Sequence, residues 1–322
     1  MTSFPTKPLA RLGGHNGQVL ALTYSSGSGQ YLLTASTDRL IRLFSPLSRN
    51  PLIQTFSAHG YPVSDLCIAP TNATFVSSGG DKIVFLWDVA TASTLRRWAG
   101  HAGRVNAVRF AGDGESLVVS GSYDGTVKVW DVKQRGERPV VTWGEAGDSV
   151  AAVEVGGAEV WVGSVDGRVR GYDVRMGRVV VDVIGAPVTS LSLAKAGDAY
   201  LVGTLDSTLR LMDRRDGKCL QTFKDGEFDN KNYRLRSTFA AADSLVMSGS
   251  EDGYVYVWDV MTGKVEHKLR HTQSLLGDGR GGDSAGDASK KSVVSAVAWN
   301  QLKKQWASAG GDGTVVVWGR DE

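Results

Sequence analysis

The stretch SGSYDGTVKVWD, residues 120–131, places Ser120 four residues before Asp124, and His101 lies nineteen residues upstream of Ser120. Serine, histidine and aspartate are the parts of a nucleophilic hydrolase triad, in which histidine takes the serine proton and aspartate orients the histidine. A triad is needed once in a chain. Here the pattern recurs, and the recurrence argues for structure rather than catalysis.

Seven related stretches run along the chain: TASTDRLIRLF (34–44), SSGGDKIVFLWD (77–88), SGSYDGTVKVWD (120–131), VGSVDGRVRGYD (162–173), VGTLDSTLRLMD (202–213), SGSEDGYVYVWD (248–259) and SAGGDGTVVVWG (308–319). Their aspartates, Asp38, Asp81, Asp124, Asp166, Asp206, Asp252 and Asp312, are spaced by 43, 43, 42, 40, 46 and 60 residues. Six residues after each comes a large side chain: Phe44, Trp87, Trp130, Tyr172, Met212, Trp258 and Trp318. A fixed period of this length marks a repeat architecture.

Each unit reads as four strands. In the third they are RVNAVRF (104–110), SLVVSGS (116–122), TVKVWDV (126–132) and RPVVTW (138–143), rich in β-branched and aromatic residues and separated by Gly, Asp and basic clusters. Alternation along them is blurred, as expected when both faces of a small sheet are covered by neighbours.

Composition agrees. The chain has 322 residues, 42% apolar and 22% charged, with 40 glycines, an excess over the usual ~7% that suits many tight turns. A formal charge of +2 gives no global pull toward nucleic acid or membrane. Cys67 and Cys219 have neither a zinc nor a disulfide spacing and read as small buried apolar residues. The first fifteen residues lack an apolar core for a signal peptide, and no run is long enough for a membrane helix, so cytosol or nucleus is expected. No metalloprotease, phosphate-loop, nucleophile-elbow or paired-cysteine motif is present. GDGRGG (277–282) fits a dinucleotide fingerprint in letters only, because no strand–helix pattern surrounds it. It lies in the Gly/Asp/Ser-rich stretch 272–291, read as an insertion that explains the 60-residue spacing. No catalytic residue, metal or cofactor is expected.

The Asp-to-Trp spacing and the dipeptides Gly14-His15 and Gly100-His101 resemble WD repeats, which form β-propellers. The resemblance implies an all-β fold with seven blades, one domain over 1–322. The last repeat stops after its third strand, and KPLARL (7–12) would supply the missing outer strand and close the ring. It also implies a hydrogen-bonded tetrad within a blade: His59, Ser77, Asp81, Trp87; His101, Ser120, Asp124, Trp130; and His271, Ser308, Asp312, Trp318. Blade one has His15, Thr34 and Asp38 but Phe44 for Trp, blade six has no His, and blades four and five lack both His and Ser. Such tetrads satisfy buried polar groups and need no substrate.

Function then falls to loops on a rigid scaffold. Around the top of the channel the repeat alignment places Pro62, Ser64, Arg104, Asn106, Tyr123, Ser149, Arg234, Arg236 and Glu251, an aromatic-plus-arginine mixture suited to protein contacts or else an ordinary solvated rim. On the opposite face, loops of three consecutive blades gather Lys133, Arg135, Arg138, Arg175, Arg178, Arg214, Arg215 and Lys218, a basic rim for an acidic protein or RNA phosphates, or simply solvated turns. SAHGYPVSDL (57–66), GHAGRVNAVRF (100–110), GSVDGRVRGYDVRMG (163–177), LDSTLRLMD (205–213) and SEDGYVYVWD (250–259) resemble the mitogen-activated protein kinase organiser subfamily, also called WD repeat-containing protein 83. That resemblance implies a non-catalytic scaffold, a monomer within larger complexes in nucleus and cytoplasm. Its partners would be spliceosomal proteins, MAP-kinase cascade components or both, with any RNA contact indirect.

Overall fold

A computed structural model describes residues 4–134, 136–272 and 293–320. Arg135 of the basic rim and positions 273–291 of the Gly-rich stretch lie outside them. The described residues form seven four-stranded antiparallel sheets, arranged as the blades of a propeller. The inner strands are Val19–Tyr24, Val63–Ile68, Val105–Ala111, Val150–Gly156, Val188–Leu193, Ser237–Ala240 and Val294–Asn300 for blades one to seven. Blade three continues through Leu117–Ser122, Val127–Asp131 and Val141–Trp143. Its fourth strand begins three residues later than the sequence suggests, just beyond Pro139, which has no N–H for a ladder.

The ring closes through the chain's first strand. Lys7–Leu12 pairs antiparallel with Val315–Gly319, Arg11 opposite Val316 and Leu12 opposite Val315. Trp306 adds a hydrogen bond from Nε1 to the Pro5 carbonyl at 2.7 Å. The closure covers an edge that would otherwise present unpaired backbone groups.

The core is distributed between blades. Each of seven apolar clusters joins facing sides of two neighbours, as when Leu33 and Phe56 of blade one meet Phe75 and Trp87 of blade two. Leu12, Val315 and Val317 of blade seven meet Val19 and Leu32 of blade one in the same way. Middle strands are therefore covered on both faces: Leu32–Ser36 and Leu245–Gly249 are buried at every residue. This is why the alternation expected of a half-solvated sheet is missing. Outer strands keep a wet side, and Cys219, expected inside, is exposed on one of them, Cys219–Phe223. Cys67 is partly buried, and burial raises its thiol pKa.

Two local devices shape the top of the channel. In six blades the inner strand carries a register shift at its second residue, where Leu20, Ser64, Asn106, Ala151, Thr189 and Ser295 are the extra residues. Such bulges re-aim side chains, and here they turn Leu20, Ser64 and Asn106 toward the channel mouth. In addition, the residue after every turn aspartate has positive φ: Arg39, Lys82, Gly125, Gly167, Ser207, Gly253 and Gly313. Glycine takes that conformation without strain, which accounts for the recurring Asp-Gly pair.

Candidate functional site

The turn aspartates show what the repeated residues do. In blade three His101 Nε2 meets Ser120 Oγ at 2.8 Å, its Nδ1 meets Asp124 at 3.1 Å, and Trp130 Nε1 donates to Ser120 Oγ at 2.8 Å. Asp124 also accepts from the Ala102 N–H and from Thr126. Blade two repeats the arrangement: His59 lies 2.7 Å from Ser77 and 3.0 Å from Asp81, and Trp87 donates to Ser77 at 2.8 Å. These bonds assign the tautomer with Nδ1–H toward aspartate and Nε2 accepting the serine proton. The order is that of a hydrolase triad, but Ser77 and Ser120 are 0% exposed and their oxygens are already held by indole N–H groups. A substrate cannot reach them.

The other blades vary the theme. In blade one His15 bridges Asp38 and Thr34, each at 2.8 Å. In blade seven the ring is reversed: His271 Nδ1 meets Ser308 at 2.8 Å, and Nε2 stands 3.7 Å from Asp312, with Thr314 donating to that carboxylate. Trp318 donates to Ser308 at 2.9 Å. Where histidine is missing, a long side chain four residues after the aspartate takes its place. Arg170 binds Asp166 at 2.7 Å and Ser164 at 2.8 Å; Arg210 binds Asp206 at 2.5 Å and Thr204 at 2.6 Å; Tyr256 donates to Asp252 at 2.7 Å. Inspection for histidine alone misses these, although the Asp-x-x-x-Arg and Asp-x-x-x-Tyr spacings stand in the sequence.

Titration follows from these contacts. Burial lowers His15 and His101 below the ordinary 6.5, outweighing the opposing pull of Asp38 and Asp124. For the aspartates, burial works the other way, yet hydrogen bonds prevail: Asp124 is depressed by Thr126 and backbone N–H groups, and Asp166 falls to about 2 through Arg170 and Ser164. A lowered histidine is protonated more readily in the unfolded chain, so stability is lost as pH falls from about 7 through the folded value. A depressed carboxylate contributes stability above its unfolded pKa of ~3.9, lost as pH falls through the folded value. The melting temperature is therefore expected to fall from pH 7 to 5 and again below about pH 4. A profile flat from pH 7 to 3 in thermal unfolding would contradict these networks.

The channel holds a second polar cluster, which the sequence did not disclose. Asp65, 0% exposed in the inner strand of blade two, binds Arg109 of blade three at 2.8 Å and Arg236 of blade six at 2.7 Å. Arg109 also binds Glu154 of blade four at 2.7 Å. Burial opposes the charge on Asp65, but its arginines hold the carboxyl below the ordinary value. The signal was a lone charged residue at a register position that blades one, three, four and seven fill with Ala21, Ala107, Ala152 and Ala296.

At the mouth above this cluster lies a cavity of about 150 Å³, lined by Leu20, Ser64, Arg104, Asn106, Arg234 and Arg236. Five of the expected top-face residues, Ser64, Arg104, Asn106, Arg234 and Arg236, thus line the mouth of the channel. Asn106 is buried, donating to Ser149 and to the Val150 carbonyl; Arg236 binds Asp65 and the Ser64 carbonyl. Arg234 donates to the Asn106 carbonyl at 2.7 Å, while its Nε is buried without a hydrogen-bond partner among the described residues. Ser149, also expected at the rim, is buried. Pro62 is exposed, and Glu251 accepts the backbone N–H groups of Lys231, Asn232 and Tyr233. Tyr123 is 59% exposed, with the Arg104 guanidinium 5.0 Å from its ring centre.

On the opposite face Lys133, Arg138, Arg175, Arg178, Arg215 and Lys218 are exposed. Arg214 is not part of that surface. It binds Glu159 and the Gly197 carbonyl and stacks 5.3 Å over Trp161, tying blade five to blade four. Lys218 pairs with Asp216 at 2.5 Å.

The family description "WD domain, G-beta repeat" matches residues 6–45, 50–88, 92–131, 217–259 and 286–319. The interval without a match holds blade four and most of blade five, where arginines replace histidines. Among curated relatives, the chain is 41% identical over 261 residues to WD repeat domain-containing protein 83 of Rattus norvegicus, covering 81% of each. It is 41% identical over 259 residues to the Homo sapiens protein of that name, covering 80% of this chain and 81% of the relative. Against the WD repeat domain-containing protein 83 homolog of Dictyostelium discoideum, identity is 28% over 340 residues, 97% of both.

Proposed function

Because the chain belongs to the WD40-repeat family and is related to WD repeat domain-containing protein 83, we propose that it is a non-catalytic scaffold that docks other proteins on its top face. The observation that supports this reading is the pairing of exposed Tyr123 with Arg104 beside the channel mouth. An aromatic ring with a stacked guanidinium offers a large contact area at low entropic cost, the make-up of interface anchors. The tetrads and interblade clusters supply the rigidity that lets loops present such a patch. The resemblance to the mitogen-activated protein kinase organiser subfamily supports partners among spliceosomal proteins and MAP-kinase cascade components, met in nucleus and cytoplasm. One propeller domain is proposed over 1–322, acting as a monomer within such assemblies.

A second reading assigns RNA to the bottom face, where Lys133, Arg138, Arg175, Arg178 and Arg215 are exposed on neighbouring loops. Capture of the tagged protein from nuclease-treated extract, followed by mass spectrometry, separates the two. Wild type is expected to retain partners after nuclease, and the Tyr123→Ala/Arg104→Glu variant to lose about 90% or more of them at unchanged melting temperature. Retention by the folded variant would overturn the top-face reading. Loss of all partners on nuclease treatment would favour RNA.

A further inference from the structure

Charges at the channel mouth do not balance. Among the described residues, four guanidinium groups, Arg104, Arg109, Arg234 and Arg236, act on the mouth and upper channel, and the ion pairs there give them two carboxylates, Asp65 and Glu154. Arg109 takes Glu154 and shares Asp65 with Arg236. Among the described residues, Arg234 has only the Asn106 carbonyl as hydrogen-bond partner, and Arg104 only the face of Tyr123. Two positive charges therefore stand without an ion-pair partner among the described residues around one cavity. The nearby rim acids are engaged, Glu251 with the backbone at 231–233 and Asp229 with Lys231.

Keeping a guanidinium partly buried with no direct ion pair is unfavourable: burial and Arg236 lower the Arg234 pKa, and the charge of Asp65, already bound by Arg109 and Arg236, opposes them only in part. The Nε of Arg234 is itself buried, a donor without an acceptor among the described residues. A group that neutralised two charges and supplied several acceptor oxygens would meet both needs. A phosphomonoester does so, with a charge of about −1.5 to −2 near pH 7 and three strong acceptor oxygens, and arginine forks match its geometry. A carboxylate supplies half the charge.

Resting on the docking reading above, we propose that the channel mouth binds the phosphate of a phosphorylated serine or threonine in a partner peptide. Arg104 and Arg234 hold its oxygens, and Tyr123 packs against the neighbouring peptide residues. Docking is then switched by the partner's phosphorylation.

The test uses the full chain and degenerate peptide pools with a fixed central phosphoserine or phosphothreonine, the unphosphorylated pools, and pools with Glu at that position. The phosphorylated pools are expected to bind at least about tenfold more tightly than either control, and Arg104→Ala to remove about tenfold. Arg104 is exposed and touches only Tyr123 through its charged end, so that variant keeps the fold; Arg234→Met, checked by thermal unfolding, is the second. Equal binding of the Glu pools would assign the mouth to carboxylates and overturn the proposal. So would binding undiminished in both variants, or competition by inorganic phosphate with no phosphopeptide preference. If phosphorylated pools fail while proteins are still captured from extract, this inference falls and the docking reading stands; failure of both removes the reading as well.

Discussion

Asp65→Ala is expected to destabilise the protein by about 3–5 kcal/mol, the range for removing one partner of a buried ion pair. The carboxylate is fully buried and joins blades two, three and six through Arg109 and Arg236. It also accepts the Val108 N–H at 3.0 Å. Its loss strands Arg236, whose remaining hydrogen bond goes to the Ser64 carbonyl, whereas Arg109 keeps Glu154. The asymmetry can be measured. Arg236→Met added to Asp65→Ala should recover part of the loss, because it removes the stranded charge. Denaturant unfolding of both variants checks this. A change within about 0.5 kcal/mol for Asp65→Ala, the usual range for an unremarkable surface site, would show that the channel cluster is not structural.

The second large effect falls on the residue that first suggested catalysis. Ser120→Ala removes the oxygen that joins His101 Nε2 to Trp130 Nε1 and leaves two buried polar groups without their partner. Each stranded group costs about 1–3 kcal/mol, so a loss of about 2–6 kcal/mol is expected. Trp130→Phe strands none of the ring nitrogens of His101 and should cost less through this term, although it also leaves a space in the cluster shared by blades two and three. Thermal and denaturant unfolding of Ser120→Ala, with a screen for ester hydrolysis, decides between the two roles of the serine. Unchanged stability together with abolished hydrolysis would make the residue a nucleophile.

Much of the architecture was legible because it repeats. Each turn needs an aspartate, a residue that tolerates positive φ and a bulky side chain at a fixed distance, so seven turns leave seven similar strings. Closure was legible for a related reason: a last repeat ending at Trp318 lacks an outer strand, and Lys7–Leu12 has the pattern to supply it. The tetrads with histidine were implied by the resemblance to WD repeats. Their substitutes Arg170, Arg210 and Tyr256 were in plain view but lay on the third strand of the blade, whereas the histidine they replace sits in the loop before the first.

The channel is another matter. Asp65, Arg109, Glu154 and Arg236 come from four blades, and no local periodicity reports which inner strands face one another across a ring. Arg234, Arg236 and Asn106 were expected around the top of the channel, but not which of their groups would turn inward: Asn106 does so at a bulge, and Arg234 and Arg236 from just before the inner strand of blade six. Arg214 looked like another exposed base because its partners, Glu159 and Trp161, lie in the preceding blade. Cys219 ran against a burial preference that does not hold on a solvent-facing outer strand.

The central claim is that partners dock on the face that bears Tyr123 and Arg104. Lysine-directed cross-linking of the captured complexes, read by mass spectrometry, tests it most directly, because exposed Lys82 and Lys231 lie on that face and exposed Lys133 and Lys218 on the other. Inter-protein cross-links are expected to concentrate on Lys82 and Lys231. Cross-links concentrated on Lys133 and Lys218 would contradict it and give the docking role to the basic rim.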